Sequence, residues 1–184
     1  MIKDLIFDVD GVLLDYLQAF NKFISNQNSK SLNSSNRCNE YSFLHSVEFS
    51  QMPPIISADE FNQLTAGKNV YLVTNLPSFC LAPREKNLKN LGFKYNILAK
   101  GGLEHYGEEN YPSKAEVIVD LLGRDSPFVF VDDFEANCID VAQNLINAKV
   151  FMLKGLHGEP KFSFSYKKCY NWQDLSANIK KISE

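Results

Sequence analysis

The chain has 184 residues, 45% of them hydrophobic, enough for one domain of ordinary size plus a small insertion. With 19 basic and 22 acidic side chains the formal charge is −3, too balanced for a nucleic-acid or membrane-surface footprint. Acids break the apolar N-terminal stretch MIKDLIFDVD, and no run approaches the roughly 18 apolar residues that span a bilayer, so neither signal peptide nor transmembrane helix is expected and a cytoplasmic location is.

Leu5-Ile6-Phe7 and Val9, ended by Asp10-Gly11, read as a central strand. Residues 12–24 carry apolar positions at helical spacing, whereas residues 25–40 are nearly all polar and rich in Ser and Asn, and read as a loop. Ser57 to Glu60 has the form of a capping box, which predicts a helix to about Ala66 stopped by Gly67, with a strand from Val70 to Thr74 directly after it. A helix from Arg84 to Leu91 ends at Gly92, and Tyr95 to Ala99 reads as a strand. Ser113 to Leu122 is predicted helical, opened by Pro112 or Ser113 and stopped by Gly123. Phe128 to Val131 is a continuous apolar run of the kind buried on both faces of a parallel sheet. A helix over 135–147, a last core strand over 149–153 and a closing helix over 175–182 complete the chain. Strands alternating with helices predict an open α/β sheet, with ligands beyond the carboxyl ends of its strands.

Asp8, Asp10, Thr74 and the Asp132-Asp133 pair all fall at such strand ends, so one crevice can collect them. Asp8 and Asp10 are two apart, which in extended backbone projects both carboxylates to one side. Crowded carboxylates in an apolar setting need a cation or hydrogen-bond donors, and magnesium, which prefers hard oxygen ligands, is the natural compensator. Cys38, Cys80, Cys138 and Cys169 show no metal-ligand spacing and read as reduced packing thiols, and His45, His105 and His157 read as surface or loop residues.

The order of FDVDGV (7–12), LVTN (72–75), PSK (112–114) and VDDFEAN (131–137) resembles the haloacid dehalogenase superfamily over residues 1–15 and 57–184. The resemblance implies a Rossmann-like three-layer α/β fold with a mostly parallel sheet and a small cap inserted at 16–56. It implies Asp8 as a nucleophile forming an aspartyl-phosphate, and Asp10 as the acid for the leaving oxygen and then the base for water. Thr74 and Asn75 would hold the phosphate, and Lys114 would neutralise the nucleophile and the transferring group. Asp133 would bind Mg²⁺, with Asp132 as a second or water-mediated ligand and Asp8 and the Asp10 carbonyl completing the set. Asn137 would orient Asp133 or nearby backbone.

Taken singly, each segment also has a plain structural reading: a strand-ending turn at Asp8 to Gly11, a strand end at Thr74-Asn75, a solvated helix residue at Lys114 with Lys100 as its rival, and a helix cap at Asp132-Asp133. Their joint order carries the expectation. Since the dehalogenases of that superfamily lack the second acid and this chain keeps Asp10, the expected function is Mg²⁺-dependent phosphomonoester hydrolysis. The substrate would be a phosphorylated small molecule or a larger phosphorylated one. A phospho-sugar mutase and a weakly catalytic binding or regulatory protein are the alternatives. Receiver domains place their acidic pair first, where here it comes last. The insertion is shorter than a full helical cap, so an open crevice is expected. Tyr41, Phe43, Leu44, Val47 and Phe49 with Pro53-Pro54 form either a small lid or packing against the sheet.

Overall fold

The computed structural model describes residues 2–28, 36–103, 107–154 and 166–183. Its six parallel strands are β1 (Asp4–Phe7), β2 (Asn69–Thr74), β3 (Ile97–Lys100), β4 (Phe128–Asp132), β5 (Ala148–Leu153) and β6 (Lys167–Cys169), in the order β3-β2-β1-β4-β5-β6. The central strands are apolar throughout because both faces are covered. Ile6, Val73 and Phe130 pack on one face with helices α6 (Lys114–Leu122) and α7 (Glu135–Asn144). Leu5, Phe7, Leu72 and Val131 pack on the other with α4 (Ala58–Leu64), α5 (Leu81–Leu91) and α8 (Trp172–Ser183). The expected three-layer α/β architecture is therefore the observed one.

Two elements differ from expectation. The polar stretch at 25–40 is not simply a loop: α1 (Tyr16–Asn28) runs into it and α2 (Asn36–Leu44) begins within it, followed by the single turn α3 (Val47–Ser50). Packing accounts for this, since Phe23, Phe43, Leu44 and Phe49 all join the core and tertiary burial outweighs weak local propensity. The strand over 149–153 is also not the last, because the three-residue β6 pairs on its outer edge.

The segment 16–56 leaves and rejoins the core through a short stem. The Asp15 amide donates to the Pro53 carbonyl at 2.8 Å and the Ile55 amide to the Leu13 carbonyl at 2.8 Å, beside a bridge between Leu14 and Pro54. Of the residues expected as lid or packing, Phe43 and Phe49 are fully buried, whereas Tyr41 and Val47 are exposed. Three described cysteines, Cys80, Cys138 and Cys169, are buried and unpaired with one another, as expected. His45 is exposed and stacks on Phe79, while His105 and His157 lie outside the described residues.

Trp172 ties α8 to the turn after β1. Its indole stacks 6.0 Å from Phe7, meets Phe61 edge-on, and donates through Nε1 to the Val12 carbonyl at 2.9 Å. Trp172→Phe keeps an aromatic ring but leaves that carbonyl without its donor. The expected loss is about 1–3 kcal/mol in urea unfolding followed by circular dichroism, and an unchanged midpoint would show that the indole bond contributes nothing.

Candidate active site

The ends of β1, β2 and β4 and the start of α6 converge on a crevice of about 230 Å³, lined by Asp8, Asp10, Thr74, Asn75, Lys114, Asp132, Asp133 and Asn137. It lies where the strand order reverses about β1, the place an open α/β sheet leaves for a ligand. Every residue singled out in the motifs is brought to it.

Asp8 continues β1, its amide donating to the Val131 carbonyl at 2.8 Å. The chain then turns sharply, with the Val9 carbonyl accepting from Leu13 and Leu14 at 2.8 and 2.9 Å. Gly11 sits at φ +87°, and a Cβ built there would stand 2.2 Å from Asp133 Oδ2. Glycine is therefore required twice, for the left-handed backbone and for the space that Asp133 fills.

Lys114 is the first residue of α6, set there by a complete capping box: Glu116 N donates to Ser113 Oγ and Ser113 N to Glu116 Oε2 at 2.7 Å. Its ammonium, wholly buried, donates to Asp8 Oδ1 and to Asp132 Oδ2, each at 2.6 Å. Burial alone would lower the Lys114 pKa, but the Asp132 and Asp8 carboxylates together outweigh it and raise it. Lys100, the rival, instead pairs with Glu108 and donates to Ser78 Oγ at 2.6 Å.

Asp132 accepts three hydrogen bonds from protein donors. Its Oδ1 accepts from the Phe134 amide at 2.8 Å, and its Oδ2 from Lys114 and from Asn137 Nδ2 at 3.1 Å. Asn137, expected to orient Asp133 or nearby backbone, thus holds Asp132, whose other oxygen accepts from the Phe134 amide just before α7.

Asp8, Asp132 and Asp133, all buried, offer carboxylate oxygens within 4.8 Å of one another. Burial pushes Asp8 well above the usual carboxylate range, Lys114 opposes that, and Asp132 and Asp133 reinforce it. Three buried carboxyl groups around one lysine form a donor set short of positive charge, and a hard divalent cation fits it. Asp10 is not in that cluster. Burial raises its pKa too, opposed by Arg84, whose Nη2 donates to Asp10 Oδ2 at 3.1 Å. The Thr74 hydroxyl is buried without a hydrogen-bond partner among the described residues, at the floor of the crevice, as a group awaiting an oxygen ligand would be.

Sequence reasoning missed two contributions. The insertion supplies the outer wall of the crevice through Leu44, one of the residues expected as lid or packing, and through Tyr16 and Glu40, which no motif marks. Arg84 is one of three cations on α5, with Lys86 and Lys89, and no spacing ties it to Asp10 seventy-four positions earlier.

Neither a known family model nor any curated protein matches this sequence. Solved structures do. The chain is similar to a haloacid dehalogenase-like hydrolase, SP0104 from Streptococcus pneumoniae, with TM-score 0.66 and 13% identity over 100% of this chain and 99% of that one. It is similar to the putative hydrolase YfnB from Bacillus subtilis, solved with magnesium, with TM-score 0.70 and 14% identity over 97% and 99%. It is also similar to the L-2-haloacid dehalogenase of Xanthobacter autotrophicus, with TM-score 0.65 and 10% identity over 98% and 99%. The chain therefore has the haloacid dehalogenase fold. No helix among the described residues is long and apolar enough to cross a membrane.

Two outcomes follow from the geometry. Gly11→Ala must displace Asp133, so metal affinity, read by isothermal titration with Mg²⁺ or Mn²⁺, is expected to fall at least about 10-fold; unchanged affinity would separate Asp133 from the metal. A second concerns Glu108, which straps the loop after β2. Its carboxylate is lowered to about 2, by the hydrogen bond from Lys100 first and then by those of the Ser78 amide and hydroxyl. A lowered acid stabilises the fold above its ordinary pKa and loses that contribution as pH falls towards 2. Between pH 5 and 2 the melting temperature should therefore drop more steeply for the wild type than for Glu108→Gln.

Proposed function

We propose that the protein is a Mg²⁺-dependent phosphomonoester hydrolase working through an aspartyl-phosphate on Asp8. The observation that carries this reading is the joint placement of the buried Asp8, Asp132 and Asp133 around Lys114 with a second acid, Asp10, on the same crevice. A phosphoryl group brings charge that such a site can hold only with a cation, and its displacement needs both a nucleophile and a proton donor.

Asp8, Asp133 and the Asp10 carbonyl would hold Mg²⁺, with Asp132, which also aims Lys114, as a second or water-mediated ligand. A bound Mg²⁺ neutralises charge on the phosphoryl oxygens. Lys114 engages Asp8 Oδ1, which assigns attack to Oδ2. As the Asp8–phosphorus bond forms, the bond from phosphorus to the ester oxygen breaks, and Asp10 gives its proton to that oxygen, releasing the alcohol. The ionised Asp10 then takes a proton from water, whose oxygen attacks phosphorus and displaces Asp8, yielding inorganic phosphate. Thr74 and the Asn75 backbone hold the phosphoryl oxygens throughout. The second acid favours this chemistry over the dehalogenation performed by one of the similar structures.

The crevice volume, about 230 Å³, falls below the usual range for drug-sized ligands and supports a small phosphorylated metabolite as substrate. Segment 16–56 acts as the cap, supplying the wall that meets the leaving group. The test is steady-state hydrolysis of p-nitrophenyl phosphate with and without Mg²⁺. Asp8→Asn is expected to lower kcat by about 10⁴-fold or more. Negligible rates in wild type and variant alike would instead favour a binding protein.

A further inference from the structure

Arg84 is among the largest fully buried side chains in the protein, and no motif accounts for it. It reaches from α5 to three groups. Nη2 donates to Asp10 Oδ2 and lies 3.1 Å from both carboxylate oxygens, Nη1 donates to the Phe49 carbonyl at 3.2 Å, and the guanidinium carbon sits 4.2 Å over the Phe49 ring. One turn further along α5, Asn87 donates to the Met52 carbonyl at 3.1 Å, so the same helix face grips α3 and the residues after it.

Phe49 meets Phe43 edge-on at 5.7 Å, and Phe43 meets Tyr16, a wall residue of the crevice, edge-on at 5.2 Å. A chain of packed groups thus joins the Asp10 carboxylate to the wall that meets a leaving group. Stability alone is a poor account of this arrangement. Arg84 Nε is buried without a partner among the described residues, and a buried ion pair is commonly matched or bettered by apolar packing of similar volume.

We propose that Arg84 is a positioning residue for Asp10: it fixes the carboxylate's orientation for proton transfer to the leaving oxygen and ties that orientation to the helical insertion. This rests on Asp10 being the acid of a phosphomonoesterase. The guanidinium bonds Oδ2 and lies against Oδ1, which is buried without a hydrogen-bond partner among the described residues, so Oδ2 is held and Oδ1 is left as the oxygen to carry the proton. Phe49, held through its ring and its carbonyl, fixes the guanidinium in turn. Because the link acts on proton donation, its removal should matter in proportion to how much the leaving group needs a proton.

The experiment compares two substrates of nearly the same shape, phenyl phosphate and p-nitrophenyl phosphate, with saturating Mg²⁺. The first leaves as a strongly basic phenoxide and needs the acid; the second needs it far less. Arg84→Met, which keeps much of the volume, should lower kcat by about 100-fold on phenyl phosphate and by less than about 10-fold on p-nitrophenyl phosphate, with KM little changed. Arg84→Lys, which keeps the charge, should recover part of the loss. The double variant with Asp10→Asn should lose no more on phenyl phosphate than Asp10→Asn alone, as expected of a residue acting through Asp10. Equal losses on the two substrates, or additive losses in the double variant, would overturn the proposal while leaving the phosphatase reading intact. No Mg²⁺-dependent turnover of either substrate by the wild type would overturn both. If Arg84→Met fails to fold by circular dichroism, Arg84→Lys decides: a lysine lacks the planar fork that meets Asp10 through one nitrogen and the Phe49 carbonyl through another while lying over the Phe49 ring, so it too must lose more on phenyl phosphate.

Discussion

Everything at the carboxyl ends of the central strands answers to one constraint: three carboxyl groups are buried around a single lysine. An unpaired buried charge is costly, so Lys114 has to stand between Asp8 and Asp132, and it can do so only if α6 begins at one position. The capping box of Ser113 and Glu116 sets that start. Asn137 and the Phe134 amide also donate to Asp132. Gly11 then leaves room for Asp133, the acid without which the donor set lacks a third member. Lysine alone does not balance the cluster, and that deficit is what suits the site to a cation.

Much of this was legible in the sequence because a parallel sheet writes itself plainly. Strands buried on both faces appear as continuous apolar runs, and a ligand site at their ends turns short acidic segments into position markers. Asp8, Thr74 and Asp132 could be placed together without knowing any side-chain geometry. Lys114 and Lys100 could not be separated that way, since both follow β3's predicted span, and only the capping signal before Lys114 distinguishes them. The elements that went unread are those whose formation depends on distant partners. α2 is drawn from a Ser- and Asn-rich stretch and is held by Phe43 and Leu44, while β6 is three residues, two of them lysines, on the sheet's edge. Arg84 belongs to the same class: nothing local marks a helical arginine as the partner of an aspartate on another element.

The insertion shows how a short cap differs from a long one. Phe43 and Phe49 are wholly buried and belong to the same apolar cluster as Phe7 and Leu72 of the sheet, so this segment is an extension of the core. The ring partners of Phe43 are Tyr16, Phe20, Phe23 and Phe49, all within the insertion, whereas Phe49 also meets Arg84 of α5; swinging the insertion away would forfeit that contact, the Asn87 bond to the Met52 carbonyl and the stem's hydrogen bonds. On the proposed reading this segment is the cap, and one held at Phe49 and at its stem is poorly placed to exclude water or sort substrates by large-scale closure. Both tasks then fall to what is already in place: a narrow crevice, a wall made of Tyr16, Glu40 and Leu44, and an acid whose position is referred to that wall through Phe49 and Arg84. On that same reading, substrate choice falls to side chains on α1 and α2, because Asp8, Thr74 and Lys114 meet the phosphoryl group and Asp10 meets only the oxygen that leaves it.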